Sequence, residues 1–326
     1  MTILITGGAG FVGLNTVECL LAQGHSVVSY GCEVPGAAAM QWFSSMEGRF
    51  SAEIGDVCDG DRLRDVMRRH GVTRVVHGAA ITAGLERESR DPKPVLQVNL
   101  LGTLEVLEAA CALGVERVVQ LGTGSVYGAA VRTEGLLSPD TDLPQPDSLY
   151  GISKYAAERL ACRYRATRGL NIAVARLGVV FGRWEYDTGV RDTLSIPYHL
   201  LRLAEQGQKA LIAPVTPNDW VYAPDVAQAV DRLLNAEALH HDVYQVATGR
   251  AWSVREWCEL LAQRYPGFEF AFVENAAEAN IGRVAPTPRA PFSIDRLQAD
   301  TGYAPQFDAP RALDDYLAWV AKGLQG

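Results

Sequence analysis

Tyr150 and Lys154 stand four residues apart in Tyr150-Gly151-Ile152-Ser153-Lys154, a spacing that puts a phenol and an ammonium on one face of a helix. Of the chain's four lysines, only Lys154 has a tyrosine at that offset. Such a pair can move a proton. A free phenol has a pKa of about 10, so service as a base near neutrality costs on the order of 4 kcal/mol. A neighbouring ammonium favours the phenolate and lowers that cost. An exposed tyrosine beside a surface lysine would give the same spacing, so the surroundings decide.

A second group of residues suits phosphate. Ile3-Leu4-Ile5-Thr6-Gly7-Gly8-Ala9-Gly10-Phe11-Val12-Gly13 reads as a buried strand, a glycine turn and the start of a helix. Its glycines permit a tight turn and let the backbone approach a pyrophosphate at the helix N-terminus, with Gly7, Gly10, Phe11, Val12 and Gly13 as the contacts. Asp56-Val57 follows the third candidate strand, where an aspartate can accept from an adenine amino group; the spacing equally fits a helix cap before Asp59. His77-Gly78-Ala79-Ala80 closes the fourth strand with small residues, so Ala79 and Ala80 allow close approach to the same ligand. The acidic residue expected about 20 positions after the glycines, which would accept from a ribose 2′-hydroxyl, is missing. Tyr30 is followed there by Gly31-Cys32. No arginine stands nearby to attract a 2′-phosphate, but the barrier to one is gone. The cofactor expected is NADP or NAD, leaning to NADP.

These residues need a frame that brings them together. Strand candidates Ile3–Thr6, Ser26–Tyr30, Ala52–Ile54, Arg74–His77, Arg117–Leu121 and Asn171–Arg176 alternate with helical stretches Phe11–Gln23, Asp59–His70, Pro94–Leu113 and Ser148–Arg168. That alternation predicts right-handed βαβ crossovers and a parallel sheet covered on both faces. Such a sheet binds ligands beyond the carboxyl ends of its strands. After Arg176 the pattern turns irregular, with loops at Gly182–Asp192, Pro214–Asp219 and Ala276–Pro291. Helix Ala223–Asn235 and strand Val243–Val246 return to the sheet. The expected division is 1–182 plus about 216–246 for the dinucleotide-binding part, and about 183–215 plus 247–326 for a smaller lobe over the strand ends.

Composition narrows the class. The chain has 326 residues, 48% apolar and 21% charged, with a net charge of −8, which fits a globular protein and argues against disorder. Its basic residues form no cluster, so a nucleic-acid surface is not expected. No apolar run of bilayer length is evident and the chain enters a strand straight after Met1, so no membrane partner and no leader are expected. Six cysteines without metal or disulfide spacing suit a reducing, cytoplasmic setting and no metal site.

The combination of Thr6–Gly13, Asp56-Val57, His77–Ala80, Asn99 within Pro92–Thr103, Leu121–Gly128, Tyr150–Lys154, Arg176–Gly182 and Asp219–Asp225 resembles the extended short-chain dehydrogenase/reductase family, often labelled NAD-dependent epimerase/dehydratase. The resemblance covers nearly the whole chain. It implies an α/β fold: a Rossmann-type doubly wound parallel sheet with a smaller, irregular C-terminal substrate lobe. It implies that Tyr150 is the catalytic acid/base and that Lys154 holds the nicotinamide ribose and depresses the Tyr150 pKa. Thr123 takes the place of the family residue that bonds the reacting oxygen, with Ser125 as its fallback, and Asn99 braces the helix near Lys154. Arg289 matches a late-chain arginine that contacts a substrate anion. Family members commonly pair the two long helices across a two-fold axis, so a homodimer is expected.

Departures from the family pattern narrow the reaction. Related dehydratases carry an Asp-Glu pair after the threonine; here Gly124-Ser125 stands there, and neither residue can eliminate water. Val179 replaces the asparagine, and Asn218 the arginine, that related epimerases use toward a diphosphate. The reading is hydride transfer between nicotinamide and a secondary alcohol of a small sugar or sugar-acid substrate. The alternatives are a nucleotide-sugar 4-epimerase with tightly bound NAD and a non-catalytic cofactor-sensing protein. The loop Trp184–Ser195 is expected to face the substrate, with no contact assigned to it.

Overall fold

The computed structural model describes residues 1–128, 132–187, 189, 191–281 and 289–324. Parts of two expected loops (188, 190 and 282–288) lie outside the described residues. The strands are β1 (Thr2–Thr6), β2 (Ser26–Gly31), β3 (Arg49–Ile54), β4 (Arg74–His77), β5 (Arg117–Thr123), β6 (Ile172–Leu177), β7 (Val179–Phe181), β8 (Ala210–Ile212), β9 (Trp220–Tyr222), β10 (Val243–Val246) and β11 (Phe270–Phe272). Seven of them form one sheet in the order β10-β6-β5-β4-β1-β2-β3, each neighbouring pair parallel. The chain reverses direction across the sheet between β1 and β4, which opens a crevice at their carboxyl ends.

Period-two side chains explain why both faces are buried. Ile3 and Ile5 of β1 join one core with Leu14, Val17, Val226 and Val230. Leu4 between them joins the other, with Val28, Leu63, Val66 and Val106. Helices therefore cover both faces, as a parallel sheet requires. They are α1 (Phe11–Ala22), α2 (Ala37–Ser44), α3 (Gly60–Arg69), α4 (Leu85–Arg90), α5 (Lys93–Leu96), α6 (Gly102–Leu113), α7 (Leu149–Arg168), α8 (Ile196–Glu205), α9 (Ala223–Asn235), α10 (Val254–Arg264), α11 (Asp295–Thr301) and α12 (Ala309–Val320). α1 and α9 pack together on one face, and α3, α6 and α7 on the other.

Several elements differ from the sequence expectation. α2 was not expected, because its short run lacks a strong apolar period. The expected helix Pro94–Leu113 starts at Lys93 and passes through a π-helical turn, Gln97–Leu101, that includes the buried Asn99. The whole run Lys93–Leu113 is long and apolar enough, by length and composition, to cross a bilayer, contrary to the expectation. In the fold it packs on α3 and α7 and buries the polar side chains of Asn99 and Thr103.

Beyond the sheet, β7 pairs with β9 and β8 with β11. Phe181 touches the rings of Tyr222, Trp252 and Trp257, and these aromatics belong to the same core as Ile3 and Ile5. The six cysteines are unpaired.

Candidate active site

The glycine turn is shaped by close backbone packing. Gly7 has φ +70°, and a Cβ there would lie 2.8 Å from the backbone nitrogen of Ala79. A Cβ on Gly13 would lie 2.2 Å from the carbonyl oxygen of Gly7. Only hydrogen fits at either place. α1 starts at Phe11 with no side chain capping its first turn, which leaves N–H groups available to an anion.

The ends of β1 and β4 are locked together by a neutral imidazole. His77 is buried, with Nδ1 2.7 Å from Thr6 Oγ1 and Nε2 2.8 Å from Thr103 Oγ1. Burial, and then the charge of Lys154, push its pKa down to about 3. Thr6 Oγ1 also accepts from the N–H groups of Gly78 and Ala79 at 3.2 Å.

α7 presents the phenol and the ammonium. Ser148 caps it, accepting from the Gly151 N–H at 3.1 Å. Tyr150 is half-buried, and its hydroxyl interacts with those of Thr123 and Thr82. Lys154 is 3% exposed. Thr123 ends β5; its Oγ1 accepts from the Ser125 N–H at 3.1 Å and donates to Ser125 Oγ at 3.2 Å. One cavity of about 420 Å³ runs from the glycine turn past Ala80 and Thr82 to Thr123, Ser125, Tyr150 and Lys154.

The electrostatics depart from the expectation that Lys154 lowers the Tyr150 pKa. In the protein alone, burial raises the phenol above its ordinary value; the hydroxyls of Thr123 and Thr82 and the charge of Arg191 work against that rise. Burial lowers Lys154 to about 8, with Glu158 opposing. The Glu158 carboxylate is held by Arg176 through bonds of 2.7 and 2.6 Å.

The other expected site residues fall into two groups. Arg289 stands with Thr123 and Ser125 around a side space of about 60 Å³ that also meets Val179 and Asn218. Its guanidinium donates to the carbonyls of Gly124 at 3.0 Å and Gly128 at 3.4 Å. Asn99, Asp56, Val57 and Ala79 lie outside the cavity wall. Asn99 is fully buried and holds the backbone instead. It accepts from the Ile81 N–H at 2.8 Å and donates to the Ile81 carbonyl and to Ser153 Oγ, each at 3.0 Å. Asp56 Oδ1 accepts from the Cys58 N–H at 2.9 Å, while Asp59 caps α3.

Two wall residues went unread in the sequence. Thr82 has no motif to announce it. Arg191 lies in the loop between β7 and α8, which passes through Trp184 in the left-handed region (φ 62°), its indole N–H bonded to Glu18 at 2.7 Å. Arg191, Thr193, Leu194 and Ser195 of that loop enter the cavity wall.

Fold and site together define a Rossmann-type protein of the extended short-chain dehydrogenase/reductase kind. The chain belongs to the NAD dependent epimerase/dehydratase family, whose model matches residues 3–247. It is 26% identical to a dTDP-glucose 4,6-dehydratase of Actinoplanes sp. (98% of this chain, 97% of the relative). It is 31% identical to a GDP-6-deoxy-D-mannose reductase of Pseudomonas aeruginosa (98% and 97%). Among solved structures it resembles a Thermus thermophilus UDP-glucose 4-epimerase in complex with NAD, with a TM-score of 0.77 at 26% identity over 97% and 99% of the two chains. A Thermotoga maritima UDP-glucose 4-epimerase with UDP-glucose shares the fold at a TM-score of 0.82 and 22% identity, covering both chains fully.

Proposed function

We propose that the chain transfers hydride between a nicotinamide dinucleotide and a secondary alcohol of a small sugar or sugar-acid substrate. One observation carries this reading: the cavity wall holds the Tyr150 phenol, the Lys154 ammonium and the Thr123 and Ser125 hydroxyls, and no carboxylate among the described residues. Elimination of water needs its own acid and base, so dehydration is disfavoured.

The residues present fit the cofactor. The tight turn that Gly7 and Gly13 permit and the uncapped start of α1 suit a pyrophosphate held by Gly7, Gly10, Phe11, Val12 and Gly13. Asp56 and Val57 would stand toward the adenine, with Ala79 and Ala80 beneath the dinucleotide. When bound, the nicotinamide supplies the hydride acceptor or donor. Tyr150 takes the hydroxyl proton from the substrate, or returns it to a ketone, while Thr123 and Ser125 orient that oxygen. Lys154 binds the ribose, while the hydroxyls of Thr123 and Thr82 and the charge of Arg191 favour the phenolate. At the end of β2 the exposed Cys32 follows Gly31 where a carboxylate would repel a 2′-phosphate, which supports a lean to NADP. The NAD complexes of related structures favour NAD.

Val179 and Asn218, which line the side space beside Arg289 where related epimerases use an asparagine and an arginine toward a diphosphate, support a small substrate. The second reading, a nucleotide-sugar 4-epimerase, is favoured by the likeness to UDP-glucose 4-epimerases. Co-purified NAD with tight UDP binding would select it. A homodimer through α5, α6 and α7 is supported by Leu96, Leu101 and Ile152, which are 40, 52 and 48% exposed; light scattering tests it.

The test of function is a screen of sugars and sugar acids, followed by the absorbance of the reduced cofactor. Turnover with one of them, cut at least ~100-fold in Tyr150→Phe, is expected. Silence with NAD and NADP alike overturns the dehydrogenase reading and leaves the epimerase and the sensing protein; a Tyr150→Phe variant equal to the parent in every assay leaves the sensing protein.

A further inference from the structure

The loop between β7 and α8 supplies a cation that the proton-transfer scheme leaves unused. Arg191 forms a parallel backbone bridge with Thr82, and its guanidinium lies over the Phe11 ring, Cζ 4.7 Å from the centroid. Phe11 opens α1, so the charge stands beside the helix end that suits an anion. On its other side, the same charge opposes the burial-driven rise of the Tyr150 pKa. Arg191 thus stands between the two ends of the cavity.

A purely structural role accounts for only part of this side chain. Its Nη2 is 3.0 Å from Glu185 Oε1. The Glu185 carboxylate is already served by the Ser195 N–H at 2.6 Å, the Ser195 hydroxyl at 2.7 Å and the Gly182 N–H at 3.3 Å. Arg191 Nη1 is buried and has no hydrogen-bond partner among the described residues. A guanidinium offers five N–H donors, and a donor left unmet in the protein is an unfavourable feature that a ligand oxygen removes. Lys154 and Arg191 are the charged groups of the described cavity wall, and the carboxylates nearest them, Glu158 and Glu185, stand behind that wall, in a chain whose net charge is −8. A cleft lined by one sign of charge concentrates the opposite sign.

We propose that Arg191 is a specificity-determining residue that clamps an oxyanion, a phosphate or a carboxylate, inside the cavity. The planar fork suits either group. The oxyanion comes from the dinucleotide pyrophosphate or from an acidic group on the substrate; the second source rests on the hydride-transfer reading, the first only on dinucleotide binding.

The experiment is calorimetric titration of the full chain and of Arg191→Gln. The probes are NADH, inorganic pyrophosphate, and the pairs glucuronate against glucose and UDP-glucuronate against UDP-glucose. The variant is expected to lose at least ~10-fold in affinity for one class of anion. Weaker NADH and pyrophosphate, with the acid-over-neutral preference intact, assigns the clamp to the cofactor. Loss of that preference, with NADH unchanged, assigns it to the substrate. If Arg191→Gln melts early because Glu185 is left unpaired, the double variant Arg191→Gln/Glu185→Gln removes both charges, and the same thresholds apply. A folded variant that binds every probe as the parent does overturns the proposal. Binding is read without turnover, so a chain that clamps anions but transfers no hydride would sink only the functional reading.

Discussion

The Glu88 carboxylate accepts a hydrogen bond from the backbone N–H of Leu149 at 2.8 Å, so the helix that carries Tyr150 and Lys154 starts on a cap lent by α4. Leu149 immediately precedes Tyr150, and the Ser148 cap secures only the Gly151 N–H. Removing the carboxylate in Glu88→Ala should cost about 1 kcal/mol of local helix stability. Amide exchange at Leu149 is expected to speed up several-fold, with a smaller fall in turnover. Unchanged exchange would mean that the bond does not secure the helix start.

Asn99 ties the strand loop at Ile81 to the helix at Ser153. Asn99→Ala strands a buried N–H and a carbonyl, each of which costs about 1–3 kcal/mol when unsatisfied. Urea unfolding should show a loss of about 2–4 kcal/mol. A loss below 1 kcal/mol would show that the clamp is weak.

Lys154 gives a pH signature. Its folded pKa lies near 8, below the ordinary value of 10.5. Below about pH 8 both folded and unfolded states carry the proton, and the fold bears the full cost of burying the charge. Between about 8 and 10.5 the unfolded chain binds more protons, so stability rises with pH. Lys154→Met lacks this titration. The stability gap between the variant and the parent should therefore narrow by about 2 kcal/mol from pH 8 to pH 10, measured by denaturant unfolding without cofactor. A constant gap would mean that Lys154 is not desolvated.

Gly13→Ala separates packing from propensity. In an open helix the change stabilises by up to ~1 kcal/mol. Here the added methyl meets the Gly7 carbonyl oxygen at 2.2 Å. Overpacking should cost about 1–3 kcal/mol and weaken NADH binding at least tenfold in a fluorescence titration. A more stable variant with parental affinity would contradict the turn geometry.

Much of the frame could be read in advance because its signals are local. The apolar run of β1, the glycines after it and the four-residue Tyr–Lys offset each depend on neighbours in the chain. The reading weakened where one element depends on another far away. Asn99 was expected near Lys154, but its partners, Ile81 and the Ser153 hydroxyl 54 positions on, follow from how a π-turn aims one amide. Thr82 and Arg191 escaped notice because threonine and arginine in loops carry no periodicity.

By itself the sequence determined the alternation of strands and helices, the glycine turn and the shared helical face of Tyr150 and Lys154, because steric and helical periodicities act over a few residues. Tertiary structure alone decided the charge balance of the cavity. Packing buries Tyr150 until its proton is held more tightly and buries Lys154 until its proton is held less tightly. It also brings the Arg191 guanidinium over Phe11, because desolvation and Coulomb forces depend on distances in space that residue order does not fix.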